Sequence, residues 1–149
     1  MKGIKISTLT DANGRPMSMI VSPANVHDSR LYQPTMDGFR IKISQGRPIT
    51  RPTIIVADAA YDSNEIRIYN RKRGIKSNIA INKRNKKKQK PGRPKKFDQE
   101  VYKKRSAVER FFSWIEGFRK IFPRYEVLEE SYLGLARLSC ILIIWRVLG

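Results

Sequence analysis

Two acidic residues are marked out by the company they keep. Asp58 directly follows the run Thr53-Ile54-Ile55-Val56-Ala57, and Glu109 lies in "YKKRSAVERFF", downstream of Tyr102 and Arg105. The run is rich in β-branched residues and apolar at both parities, which predicts a strand covered on both faces, as in a parallel or mixed α/β sheet. Asp58 then stands at the strand's carboxyl end, where ligands and catalytic groups collect in open α/β sheets. The competing reading is that Asp58 only serves the turn. Asp62, Ser63 and Asn64 are, however, better placed to cap the helix predicted over "NEIRIYNRKRG". Further on, Tyr102, Arg105, Glu109, Phe112 and Glu116 recur at helical spacing and share one face. Taken alone, Glu109 is equally explained by pairing with Arg105, a contribution of about 0.2–0.5 kcal/mol.

Other reactive side chains are scarce. The one histidine, His27, precedes Asp28 and Ser29 and reads as a local hydrogen-bond partner at a helix start. No serine or cysteine hydrolase arrangement can be assembled around it. The one cysteine, Cys140, sits inside "LSCILIIW", which excludes an intrachain disulfide or a cysteine-based zinc site and fits a reducing cytoplasm. Trp114 and Trp145 fall in helical apolar patterns and are expected in the core rather than as base-stacking platforms.

The elements that must position these residues follow from the pattern. "GIKISTLT" and "PMSMIVS" are extended runs joined by "DANGR", whose Asn13-Gly14 pair suits the positive φ angles of a tight hairpin. A helix capped near Asp28 or Ser29 is expected to run, interrupted at Pro34, towards Lys42. The helix after Asp58 stops at Gly74, and "IKSNIAI" alternates as a strand, giving the order β-β-α-β-α-β. Asp98 can cap a long helix running to about Ile121 and closed by Pro123, docked through Val101, Val108, Phe111, Ile115 and Phe118. Leu138 to Leu148 is too short for a bilayer, which needs roughly 20 apolar residues, and reads as a buried C-terminal helix. "MKGIKIS" lacks the apolar region of a signal peptide. A single domain spanning 1–149 is expected.

The charge points to a polyanionic partner. Lys and Arg number 31 against 13 Asp and Glu, a formal net charge of +18, which at this size implies nucleic acid. Nine of these cations crowd into residues 83–96: Lys83, Arg84, Lys86, Lys87, Lys88, Lys90, Arg93, Lys95 and Lys96, with no acid among them. Such a stretch can bury no apolar area and reads as a solvated linker or arm. Its Gly-Arg-Pro centre resembles the minor-groove peptides called AT-hooks. A sequence-independent phosphate-binding arm is the favoured reading, because Gly-Arg-Pro also occurs at 14–16 and 46–48.

Together, "VADAAYDS" and "YKKRSAVERFF" resemble the DDE transposases of bacterial and archaeal insertion sequences, in the branch marked by Tyr-x2-Arg-x3-Glu. Tyr102, Arg105 and Glu109 match that spacing, and residues 3–29 resemble the hairpin and loop preceding the second aspartate in those proteins. The resemblance implies a ribonuclease-H-like α/β fold, a mixed sheet flanked by helices, lacking part of its first strand region. It makes Asp58 the second acid and Glu109 the third, both metal ligands, with Tyr102 and Arg105 near the scissile phosphate. It implies Mg2+ or Mn2+ as cofactor, DNA ends and target DNA as partners, and a homo-oligomer or a longer transposase chain alongside. The reaction would be metal-dependent phosphoryl transfer, for which two ions about 3.5–4 Å apart are needed. Two departures follow. Glu116 stands where the family has a basic residue, with Arg119 or Lys120 one turn on as the compensating DNA contacts. The family's first aspartate precedes the hairpin, and Asp11, Asp28 and Asp37 are not convincing substitutes. The chain is therefore read as a transposase domain, with an inactive DNA-binding or interfering remnant, or an unrelated basic nucleic-acid-binding module, as alternatives.

Overall fold

The computed structural model describes residues 3–43, 45–82, 96–118, 121 and 128–148. A hairpin of β1 (Ile4–Thr10) and β2 (Pro16–Pro23) opens the chain, antiparallel with Ile4 opposite Pro23 and a shift in register after Leu9. The turn differs from the two-residue form expected. Only Gly14 takes a positive φ, at 88°. Asp11 closes the loop by accepting the N–H groups of Asn13 and Arg15, each at 2.8 Å. A side-chain acceptor thus does what a second left-handed residue would have done.

Helix α1 (Asp28–Asp37) is capped by His27, whose ring Nδ1 accepts from the Ser29 N–H at 3.2 Å. It carries Pro34 without breaking, yet ends five residues short of Lys42, at the Gly38 cap. Phe39 turns inward to a buried position, and Ile41 leaves the helix to bridge Ile49. Strand β3 (Ile54–Ala57), a one-turn 3-10 helix (Ala59–Tyr61), α2 (Asn64–Lys72) and β4 (Lys76–Ile79) form a strand-helix-strand unit with β3 and β4 parallel. Ser63 caps α2 through the Ile66 N–H, and Gly74 leaves it at φ 69°.

The long helix expected from Asp98 is divided. Asp98 does cap it, accepting from Val101 N–H at 3.0 Å. The α-helical turns of α3 (Gln99–Lys103) then tighten into a 3-10 segment (Lys104–Ser106) before α4 (Ala107–Glu116). Ser106 sits at the joint, its hydroxyl donating to the Lys103 carbonyl at 3.3 Å, a local bond that competes with regular helix. Gly117 ends α4, and Pro123 lies outside the described residues. Helix α5 (Glu129–Leu148) completes the fold.

Two hydrophobic clusters result. Phe111 and Ile115 of α4 pack with Tyr132, Ala136, Cys140 and Ile143 of α5 beneath the hairpin residues Ile4, Ile6, Met19 and Val21. Tyr32 and Met36 of α1 pack with Ile55, Ile66, Ile75 and Ile79 in the strand-helix-strand unit. Burial pushes the Cys140 thiol up to about 11 and the Tyr32 phenol up to about 12. The C-terminal helix is buried on one side only, and Trp145 is 73% exposed, not in the core. At 100° per residue, a helix that turns Ala136, Cys140 and Ile143 inward carries Trp145 to its outer side. Trp114, in contrast, packs partly buried against the first cluster. The expected mixed sheet is resolved into two separate two-stranded sheets among the described residues.

Candidate active site

Asp58 and Glu109 arrive from different elements at one guanidinium. Arg105 lies 3.9 Å from the Asp58 carboxylate and 3.5 Å from that of Glu109. It also covers the Tyr102 ring, 5.8 Å from its centroid, and that ring packs tilted against Phe97 at 5.0 Å between centroids. Asp58 and the three residues matched by spacing are thus gathered at one place, although the helix carrying those three is broken between Tyr102 and Glu109. A 3-10 segment advances three residues per turn, so Arg105 stays above Tyr102 and reaches forward to Glu109. Both carboxylates are open to solvent, at 57% and 62% side-chain exposure.

Asp58 also serves its turn, accepting the Ala59 N–H at 2.5 Å. The two readings of this residue are compatible, because one carboxylate oxygen caps the 3-10 helix while the other faces Arg105. Position is secured behind it. The buried Asp62 pairs with Arg67 at 2.8 Å and accepts the Asn82 N–H at 3.0 Å, tying the strand-end turn to the residues after β4. The N-cap of α2 is Ser63, not Asp62. On the other side, the buried Asn78 of β4 clasps the start of α3, its side chain donating to the Asp98 carbonyl at 2.8 Å and accepting the Asp98 N–H at 2.9 Å. This clasp fixes the helix start that presents Tyr102, Arg105 and Glu109 to the end of β3. Asparagine in a short strand carries no signal of such a partner in sequence.

The remaining acids near the hairpin have partners of their own. Asp11 is held in its turn, Asp28 pairs with Lys5 at 2.7 Å, and Asp37 accepts from Tyr69 at 2.6 Å and Arg73 at 3.0 Å. Tyr61 stands between the sites of Asp28 and Asp58: burial raises its phenol, and the negative charges of both aspartates raise it further. It remains a neutral donor at physiological pH. Among the described residues no three His, Cys, Asp or Glu side chains converge as a metal cluster. The oxygen donors of Asp58 and Glu109 suit one hard divalent cation.

Of the cations expected to meet DNA, Lys96 is exposed just ahead of α3. Lys83, Arg84, Lys86, Lys87, Lys88, Lys90, Arg93, Lys95, Arg119 and Lys120 lie outside the described residues. Glu116 is exposed at the last position of α4. Two further cations, Lys5 and Lys104, border the groove that runs up to Asp58 and Arg105. Sequence reading passed over both, since neither lies in the basic run. No helix among the described residues is long and apolar enough to cross a membrane.

Fold and site define a cationic α/β domain with a paired-carboxylate centre at a strand end. The chain belongs to the transposase DDE domain family, which matches residues 1–141. It is 34% identical over 147 residues to a putative transposase for insertion sequence element IS402 of Burkholderia cepacia, a match covering 98% of this chain and 64% of that relative. It is also 25% identical over 139 residues to a putative transposase for insertion sequence element IS6501 of Brucella ovis, covering 93% of this chain and 95% of that one. The chain thus spans less than two thirds of the IS402 relative. No solved structure matches.

Proposed function

We propose that this chain is the catalytic domain of an insertion-sequence transposase, of ribonuclease-H-like architecture, acting on DNA ends by phosphoryl transfer. The observation that carries this reading is the meeting of Asp58 and Glu109 at Arg105, from a strand end and a helix respectively. Asp58 and Glu109 would hold Mg2+ or Mn2+, which when bound activates the attacking hydroxyl and stabilises the leaving oxygen. Arg105, a planar fork of donors, suits a phosphate as well as it suits the two carboxylates. Tyr102, beneath it, orients the guanidinium through its ring face. Residues 83–96 act as a phosphate-binding arm within the single domain, joined by Arg119 and Lys120.

Two carboxylates hold one ion, and two-metal chemistry needs a third to fix the spacing. With Asp11, Asp28 and Asp37 engaged elsewhere, this chain binds DNA and cleaves it poorly by itself. The test is a magnesium-dependent nicking assay on supercoiled DNA beside a gel-shift titration. Salt-sensitive binding with little cleavage is expected. Robust cleavage lost in Asp11→Asn or Asp28→Asn would overturn the assignment of the acids.

A further inference from the structure

The outer side of helix α5 is as apolar as its inner side. Tyr132, Ala136, Cys140 and Ile143 face the core, while Leu138, Ile141, Leu142 and Trp145 face away from it and are between 41% and 73% exposed. A surface helix ordinarily turns polar residues outward, and one that is apolar all round is covered all round. The outer four follow one another at steps of three, one and three, so they form one contiguous stripe along the helix.

Charge narrows what covers this stripe. The chain carries 31 Lys and Arg, yet between Ser131 and Trp145 the one charged residue is Arg137. A stripe so poor in cations has little to offer DNA phosphates, and an equally apolar protein surface suits it better. Shape narrows the choice further. Gly134 lies eleven residues before Trp145, about three helical turns, and so on the same side of the helix. A Cβ built on Gly134 meets nothing within 4 Å, which leaves a hollow at one end of the stripe and a large indole at the other. The ends differ in charge as well, with Glu129 and Glu130 in the first turn and Arg146 in the last.

We propose that α5 pairs antiparallel with α5 of a second copy of this chain, across a twofold axis level with the bond between Ser139 and Cys140. That one axis sets Leu138 opposite Ile141 of the second copy and seats Trp145 of the second copy over Gly134, knob into hole. It also lays the acidic first turn of each helix at the end that carries Arg146 in the other, and opposes the two helix dipoles. A parallel pair would set indole against indole, hollow against hollow and acid against acid. The antiparallel contact is the same patch on both copies, so it closes at a dimer. The pairing rests on α5 and stands apart from the transposase reading.

The test is sedimentation equilibrium of the whole chain without DNA, in salt high enough to screen repulsion between two cationic copies. A monomer–dimer equilibrium in the micromolar range is expected, as for a small interface. Ile141→Glu, at an exposed position, is expected to weaken it at least tenfold with the helical circular dichroism and thermal midpoint unchanged. Gly134→Leu is expected to weaken it similarly, although within one copy the added side chain meets open space and favours helix. Trp145→Ala placed in the Gly134→Leu chain removes the indole that the new leucine strikes, so the double variant is expected to dimerise more tightly than Gly134→Leu alone. A chain that stays monomeric at about 100 µM would overturn the pairing. So would a dimer indifferent to Ile141→Glu, or losses in the double variant that simply add, since Gly134 and Trp145 would then not meet. Binding of a persistent monomer to anionic phospholipid vesicles, lost in Ile141→Glu, would assign the stripe to a lipid surface instead.

Discussion

Asp58 and Glu109 converge on one arginine although each sits in an ordinary local setting, a turn cap and a first-turn helical acid. Their shared position predicts shared loss: Asp58→Asn and Glu109→Gln, which nearly keep shape and remove charge, should each lower Mn2+ affinity at least tenfold while DNA affinity stays within about twofold. A variant that loses metal at one position and not the other would separate the two carboxylates. Gly14 offers a stability test at the same scale. Its φ of 88° and the 2.9 Å approach of a built Cβ to the Ala107 carbonyl oxygen leave no room for a side chain. Gly14→Ala should therefore cost more than about 1 kcal/mol in urea unfolding. An unchanged midpoint would show that the hairpin turn does not press on α4.

A small set of side-chain bonds holds the elements in place, and the Asn78 clasp is the most direct. Asn78→Ala removes both bonds to the Asp98 backbone and leaves those groups to find other partners, a cost of about 1–3 kcal/mol. Exchange of the α3 amides should quicken before global unfolding does, because the loss is local to that helix start. The fully buried Phe111 should behave differently: Phe111→Ala opens a cavity between α4 and α5 and should cost about 3–5 kcal/mol globally. The basic run is an element of another kind, defined by charge. Replacing Lys86, Lys87 and Lys88 with Ala should flatten the salt dependence of DNA binding by about 0.9 for each phosphate no longer neutralised. An unchanged slope in that triple variant would remove residues 83–96 from the interface.

For the whole molecule, the division into two clusters and two sheets predicts two cooperative units. Hydrogen exchange should distinguish the hairpin with α4 and α5 from the unit of α1, β3, α2 and β4, with α1 bridging them through the Ser7–Thr35 hydroxyl contact at 2.8 Å and the Tyr32–Asn70 bond at 2.8 Å. A single regime in the chain alone would mean that the halves are already coupled.

The sequence by itself determined the order of elements, the strand ending at Asp58, the helical spacing of Tyr102, Arg105 and Glu109, and the excess of cations. These are local properties: β-branching, 3.6-residue periodicity, caps and charge act over a few neighbouring residues. Tertiary structure decided what depends on distant partners. It stopped α1 at Gly38 because Phe39 is drawn inward, broke the helix at Lys104–Ser106, and turned Trp145 out because only one side of α5 meets the core. It also made Asp62 a buried ion-pair partner and gave Asp11, Asp28 and Asp37 partners of their own. Whether β1 and β3 join one sheet was likewise beyond sequence pattern. Pairing joins residues far apart in the chain, and a strand's own residues do not name the edge they will face.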